Sequence, residues 1–246
     1  MREATPGKVA AIVVGAGSGQ RLGGIEKAFM PLAGHPLIAH SVVLLERMPE
    51  IDEICLVVAN SSLSKARLLV DQYAWRKVTA IVPGGTTRQD SVLAGLHACS
   101  TSEWVMIHDA ARPLLTRDVV RRGLQTVTLS GAALAAIPVR DTIKQALSAR
   151  EASSAPLVME TVDRSTLWHA QTPQVFRTTL LRAAFAHLGD EAGKMTDDAA
   201  VAQAAGHQVH IFNGDARNLK ITLPEDVAIA DALLAHSSPL REGDGT

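Results

Sequence analysis

The sequence predicts an α/β protein, with a mostly parallel sheet covered by helices on both faces and a β-hairpin inserted late in the chain. Three observations carry this. Short apolar, β-branched runs alternate with helical patterns along most of the 246 residues. Glycine-rich or charged clusters follow directly on several of those runs, at 15–19, 84–91, 108–113 and 140–142. Ligands in parallel sheets sit at such strand ends. The rhythm then breaks between about 140 and 168, where two strand-like pieces flank a small polar stretch.

The first strand is expected at 9–14, an apolar run short enough to be buried on both faces. A helix follows at 36–47, with Leu37, Ile38, Ser41, Val42, Leu44 and Leu45 on a broad apolar face. A strand at 54–59 leads to a helix at 61–73, for which Ser61 or Ser62 is the available N-cap. The pattern continues with a strand at 78–82, a helix at 88–98, a strand at 104–107, a helix at 116–129 and a strand at 132–139. The hairpin pieces are 141–147 and 157–162. A lone hairpin is only marginally stable in water, so this one must pack on something, such as a second subunit. Helices at 178–187 and 199–205 follow, the latter capped by Thr196-Asp197-Asp198, then strands at 209–212 and 219–222. Pro224 opens a last helix at 224–235, with Glu225 and Asp226 in its first turn. One domain is expected over 1–236 and a disordered tail over 237–246.

Composition narrows the function classes. The net charge is -1, which argues against duplex DNA or an anionic membrane as the main partner. Four Phe, three Trp and one Tyr leave little material for base-stacking platforms. No apolar run approaches the length of a membrane span, and residues 1–8 are too polar for a signal peptide. Cys55 and Cys99 sit in apolar surroundings without metal-type spacing, as expected of buried thiols in a cytoplasmic protein.

The chemistry concentrates in a few segments. In G-A-G-S-G, Gly15, Gly17 and Gly19 alternate with Ala16 and Ser18, so backbone N–H groups can approach an anion closely. Arg21 and Lys27 supply cations just beyond, and together these features suggest a polyphosphate site. Gln20 breaks the dinucleotide pattern G-x-G-x-x-G, and no G-K-[ST] closes the loop as a P-loop requires. The plainer alternative is a tight strand–helix turn. Asp109 can hold a divalent cation or ribose hydroxyls, and Arg112 can meet phosphate; alternatively the two simply pair. Gly84-Gly85 with Arg88 and Ser91 reads equally as a site or as a turn and cap. Lys220 is out of place in an apolar strand end, while Thr196 with its two aspartates is most simply an N-cap. His169, His207 and His210 show no metal-ligand spacing.

Taken together, G-A-G-S-G-Q-R, K-A-F, G-G-T-T-R-Q-D-S-V, H-D-A-A-R-P, V-R-D-T-I-K, V-D-R-S-T-L-W-H-A-Q-T-P-Q, T-D-D and N-L-K-I-T occur in one order over 9–234. This set resembles the 2-C-methyl-D-erythritol 4-phosphate cytidylyltransferase family. The resemblance implies a Rossmann-like nucleotidyltransferase fold of the glycosyltransferase-A-like kind, with the hairpin as a dimerisation arm over about 140–168. It implies transfer of CMP from CTP to the polyol phosphate with Mg²⁺ or another divalent cation, in a cytoplasmic homodimer. Carried over by position, Gly15, Ala16, Gly17, Ser18 and Gly19 would wrap the triphosphate, with Arg21 and Lys27 neutralising it. Gly85 and Ser91 would lie around the cytosine, and Asp109 near the ribose and the metal-bearing phosphates. Arg112, Thr142, Thr172, Thr196 and Lys220 would line the sugar-phosphate end, and Arg164 would reach a neighbouring subunit's site. Lys27 stands between Glu26 and Ala28, where the family commonly has Pro and Gln.

Such a reaction needs no strong general base, because the attacking phosphate oxygen is already anionic. It needs two repelling anions positioned and the growing charge stabilised, for which Arg21, Lys27, Arg112 and Lys220 are suited. Lys27 and Lys220 are expected to act most directly on the transition state. The rivals are a related enzyme using ribitol 5-phosphate and a catalytically silent nucleotide-binding module, which would have no need of the full cation set.

Overall fold

A computed structural model describes residues 7–17, 26–99, 101–147 and 155–235. In chain order, β1 (Val9–Gly15) is followed by a short antiparallel pair, β2 (Pro31–Leu32) and β3 (His35–Pro36), and by α1 (Leu37–Glu46). Next come β4 (Glu53–Val58), α2 (Leu63–Gln72), β5 (Val78–Pro83) and α3 (Arg88–Ala98). The chain continues through β6 (Trp104–Asp109), α4 (Arg117–Thr126) and β7 (Ala132–Pro138) to the hairpin arm, β8 (Ile143–Leu147) and β9 (Leu157–Val162). It closes with β10 (Trp168–Arg177), α5 (Thr178–Leu188), α6 (Asp198–Ala204), β11 (His210–Asn213) and α7 (Pro224–Leu234).

The central sheet has the order β11-β7-β10-β6-β1-β4-β5. β1 pairs in parallel with β4 and β6, β4 with β5, and β7 with β11; β10 runs antiparallel between β6 and β7. β1 shows why a continuous apolar run makes such a strand. Val9, Ala11 and Val13 face one core with Val42, Leu45, Val120 and Leu124, while Ala10 and Ile12 face the other with Val92, Leu96, Phe185 and Val201. The sheet is therefore filled on both sides, by α1, α2 and α4 on one and α3, α5 and α6 on the other. α3 lies so close that a Cβ on Gly95 would stand 2.5 Å from Cγ2 of Ile12. Cys55 and Cys99 are buried and unlinked, and their mutual contact with burial pushes the Cys55 thiol well up.

The fold class agrees with the sequence, but several details do not. β10 is not evident from the sequence: Gln171, Thr172, Pro173 and Gln174 make its middle look like a loop. Pro173 is tolerated because the ladder to β7 shifts register between Ala170 and Gln174. The strand expected at 219–222 has no ladder among the described residues; Ile221 N–H instead donates to the Ala111 carbonyl, in the turn after β6, at 2.8 Å. α2 begins at Leu63 with Ser62 at its N-cap position but without a side-chain cap bond, and Ser61 Oγ donates to Glu26 at 2.7 Å. The helix expected over 116–129 ends at Thr126 and finishes as a 3-10 turn, Val127–Leu129. The arm strands pair as expected, whereas Trp168 belongs to β10. Residues 18–25 and 236–246, with Ser18, Gly19, Gln20, Arg21 and the expected tail, lie outside the described residues. Among the described residues no helix is long and apolar enough to cross a membrane.

Candidate active site

The carboxyl ends of β1, β5 and β6 open onto a cavity of about 300 Å³. Gly15 and Gly17 come from β1 and its turn, Gly85, Arg88 and Ser91 from the β5–α3 connection, and Asp109 from the end of β6. Lys27 and Lys220 complete the wall from distant parts of the chain. The two glycine turns abut: a Cβ on Gly84 would lie 2.2 Å from the Ala16 Cβ and 2.7 Å from Ser91 Oγ, so only glycine fits there. Ser91 shapes the turn by accepting from Gly85 N–H at 3.1 Å and donating to the Thr87 carbonyl at 3.1 Å. Thr87, and not a serine or arginine, caps α3, in a reciprocal box with Asp90.

Asp109 is the electrostatic centre. Its Oδ1 accepts from Arg88 Nε at 3.1 Å and its Oδ2 from Lys220 Nζ at 2.7 Å. Burial alone would push its carboxyl up, but the Arg88 and Lys220 cations outweigh burial and hold it well below the usual carboxylate range. Arg88 reaches on to Asp198, with Nη1 2.9 Å from Oδ2. Asp198 is wholly buried, and burial raises its carboxyl to about 6 against the opposing charge of Arg88. Asp197 supplies the α6 cap, accepting from Ala200 N–H at 2.8 Å, which leaves Asp198 for this inner pair.

Behind Asp109 lies a neutral relay. Asp109 N–H donates to Thr172 Oγ1 at 3.1 Å, and that oxygen is 3.1 Å from His108 Nδ1. His108 Nε2 is 3.0 Å from the Arg112 carbonyl. A single tautomer, with the proton on Nε2 and the Thr172 hydroxyl donating to Nδ1, satisfies every group. Burial lowers His108 to about 4, which keeps the ring neutral near pH 7. Arg112 Nη1 donates to the Asn218 carbonyl at 2.7 Å and Nη2 to the Ala170 carbonyl at 3.4 Å.

Lys27 opens a 3-10 turn, Lys27–Phe29, and its Nζ donates to the Ile221 carbonyl at 2.9 Å, one residue beyond Lys220. The unusual neighbour Glu26 does not disturb this. Its carboxylate turns outward to Ser61 and Lys65, and the bond from Lys65 holds it at about 2.

Of the residues predicted from sequence, Gly15, Gly17, Lys27, Gly85, Ser91, Asp109 and Lys220 line one cavity, with Ala16 packed behind it. Thr172 is buried beneath Asp109 with its hydroxyl engaged. Thr142 and Arg164 lie exposed on the arm, where Arg164 Nη1 donates to the Arg140 carbonyl, and Thr196 is exposed ahead of α6. These last three do not line the cavity within this chain. Sequence reasoning assigns no site role to Asp198 or His108 and leaves Arg88 open. One signal points to Arg88: it occupies the first turn of a helix, where the helix dipole disfavours a cation unless carboxylates face it.

A sequence model of the 2-C-methyl-D-erythritol 4-phosphate cytidylyltransferases matches residues 9–236. A relative of that name from Dehalococcoides mccartyi strain CBDB1 is 44% identical over 227 residues, which is 92% of this chain and 96% of the relative. Another, from Alkaliphilus oremlandii, is 40% identical over 92% of this chain and 95% of its own length. The crystal structure of 4-diphosphocytidyl-2C-methyl-D-erythritol synthase from Anaerococcus prevotii superposes with a TM-score of 0.79 at 27% identity, covering 93% of this chain and 96% of that one. The cytidylyltransferase of Thermus thermophilus superposes with a TM-score of 0.73 at 30% identity, covering 91% of this chain and 98% of that one. With matches that span nearly the whole chain on both sides, the chain belongs to the 2-C-methyl-D-erythritol 4-phosphate cytidylyltransferase family.

Proposed function

We propose that the protein transfers CMP from CTP to 2-C-methyl-D-erythritol 4-phosphate, giving 4-diphosphocytidyl-2-C-methyl-D-erythritol and pyrophosphate in the non-mevalonate route to isoprenoids. The observation that carries this is the gathering of Arg88, Lys220 and Arg112 around one buried carboxylate, Asp109, at a glycine-walled cavity that Lys27 also lines. The triphosphate lies against Gly15, Ala16 and Gly17, and the family resemblance assigns Ser18, Gly19 and Arg21 to it as well. Gly85 and Ser91 hold the base and Asp109 the ribose. Arg112, Thr172 and Thr196 serve the polyol phosphate end.

The acceptor's phosphate oxygen attacks the α-phosphorus in line. A new phosphorus–oxygen bond forms, and the bond to pyrophosphate breaks with its electron pair leaving on pyrophosphate. The nucleophile is an anion already, so the protein's part is to align two like-charged groups and to meet the charge that grows between them. Lys27 and Lys220 both line the cavity for this, and Lys27 is bonded to the carbonyl of the residue after Lys220.

The donor set fits Mg²⁺ delivered by the nucleotide. Among the described residues no group of three or more His, Cys, Asp or Glu could hold a metal. One hard carboxylate, Asp109, is present at the cavity, and Mg²⁺ characteristically takes one or two carboxylates together with substrate phosphates. Asp109 would hold the ion, which when bound would neutralise phosphate charge.

The arm supports a homodimer. Leu147, Leu157, Val158 and Met159 are more than half exposed on it, and Thr142 and Arg164 would complete the neighbour's acceptor site. CTP is a cytoplasmic substrate, which supports a cytoplasmic enzyme.

Pyrophosphate release from CTP and Mg²⁺, with methylerythritol phosphate and ribitol 5-phosphate as parallel acceptors, tests the reading. Turnover with the first and not the second is expected. Turnover with ribitol phosphate alone would move the enzyme to another reaction, and CTP binding without turnover would make it a binding module.

A further inference from the structure

Lys220 stands in a segment, 214–222, that belongs to no strand or helix. Gly214 N–H bonds the Ala136 carbonyl and Ile221 N–H the Ala111 carbonyl, each at 2.8 Å, and between these two points buried amide side chains dock the segment. Gln171 lies at the start of the β10 irregularity and is 5% exposed. It clasps Asp215 reciprocally: Nε2 donates to the Asp215 carbonyl at 2.9 Å, and Oε1 accepts from Asp215 N–H at 3.2 Å. A Cβ on Gly214 would stand 2.3 Å from that Oε1, so the glycine admits the amide. Asn218 is wholly buried, and its Nδ2 donates to the Thr172 carbonyl at 2.8 Å.

Three cations take their positions from this segment. Lys220 is part of it, Arg112 Nη1 bonds the Asn218 carbonyl at 2.7 Å, and Lys27 Nζ bonds the Ile221 carbonyl at 2.9 Å. A strand would have held such a segment by a backbone ladder; here one backbone bond near each end is supplemented, between them, by two amides from a buried, polar pair of residues.

We propose that Gln171 and Asn218 are positioning residues for the transfer reaction. They fix segment 214–222 on β10, so that Lys220 meets Asp109 and the other two cations keep their places. The inference rests on the cytidylyl-transfer reading above. Misplacing reacting groups by about an ångström costs on the order of 100-fold in rate, so small losses of register are visible in turnover.

The test uses full-length Asn218→Asp and Gln171→Glu, which keep shape and replace a donating NH₂ with an oxygen facing a carbonyl. The expected result is a fall in kcat of roughly 10–100-fold with KM for CTP changed far less. Amide hydrogen exchange should quicken across 214–222 and stay unchanged in β1 and β6. In a Lys220→Ala background the same substitutions should cost several-fold less in kcat, because the part of their effect that runs through Lys220 is gone. Normal kcat in both variants, or a kcat loss that multiplies in full with that of Lys220→Ala, would overturn the proposal. Should one variant fail to fold, the other carries the comparison. A wild-type protein silent with every acceptor would overturn the transfer reading instead, with exchange still reporting how the segment is docked.

Discussion

At the scale of single residues, the site is a balance between two buried carboxylates and the cation between them. Arg88 touches both Asp109 and Asp198, and truncating it would leave Asp198 buried without its cation and Asp109 with Lys220 as its remaining ion pair, a strongly destabilising change. Asp198 has a consequence for pH. Burial raises its folded value to about 6 from the ordinary 3.8, so the folded state holds this proton more tightly than the unfolded chain does. That contribution is full below the unfolded value and is lost as pH rises through the folded one, a change of about 3 kcal/mol. Asp198→Asn has no such proton. Denaturant midpoints of wild type and variant should therefore move in the variant's favour between about pH 4 and pH 7, and a constant gap would show that Asp198 titrates normally. The residue types of Asp109, Arg112, Lys27 and Lys220 were legible because charges beside glycine turns and apolar strands are conspicuous. Asp198 was not, since an aspartate beside a good N-cap looks like a second cap until its burial is known.

At the scale of elements, legibility followed burial chemistry. β1, β4, β6 and β7 are filled on both faces and read as apolar runs. β10 is as central as any of them, yet it turns Gln171, Thr172 and Gln174 inward to anchor Asp109, Asp215 and Asp197, so polarity and Pro173 disguised it. The opposite error arose at 219–222, where Leu-Lys-Ile-Thr alternates like a strand but finds no neighbour to pair with. Close packing can be tested at α3. A Cβ on Gly95 would meet Ile12 at 2.5 Å and Val57 at 3.1 Å, both on buried strands. Gly95→Ala should lower stability by about 1–3 kcal/mol, read from denaturant unfolding. Turnover per folded molecule should hold, because Ile12 and Val57 lie inside the sheet and do not line the cavity.

At the scale of the whole molecule, the arm is the part a single chain does not explain. Among the described residues β8 and β9 pair only with each other, and they carry Leu147, Leu157, Val158 and Met159 into solvent. An isolated two-stranded hairpin with an apolar surface needs a partner, and the proposed partner is a second copy of the chain. Leu157→Glu with Met159→Glu should convert a dimer to a monomer in sedimentation and remove turnover, because Thr142 and Arg164 would no longer reach a site; a fully active monomer would contradict the arm's proposed role. The most direct measurement for the whole account is phosphorus NMR of the full-length protein with CTP, Mg²⁺ and methylerythritol phosphate, beside Lys220→Ala. Paired diphosphate resonances and free pyrophosphate are expected from the wild type, with product formation slowed roughly 100–1000-fold in the variant while it still folds. Equal product formation by the two proteins would show that the cluster around Asp109 is not where the transfer takes place.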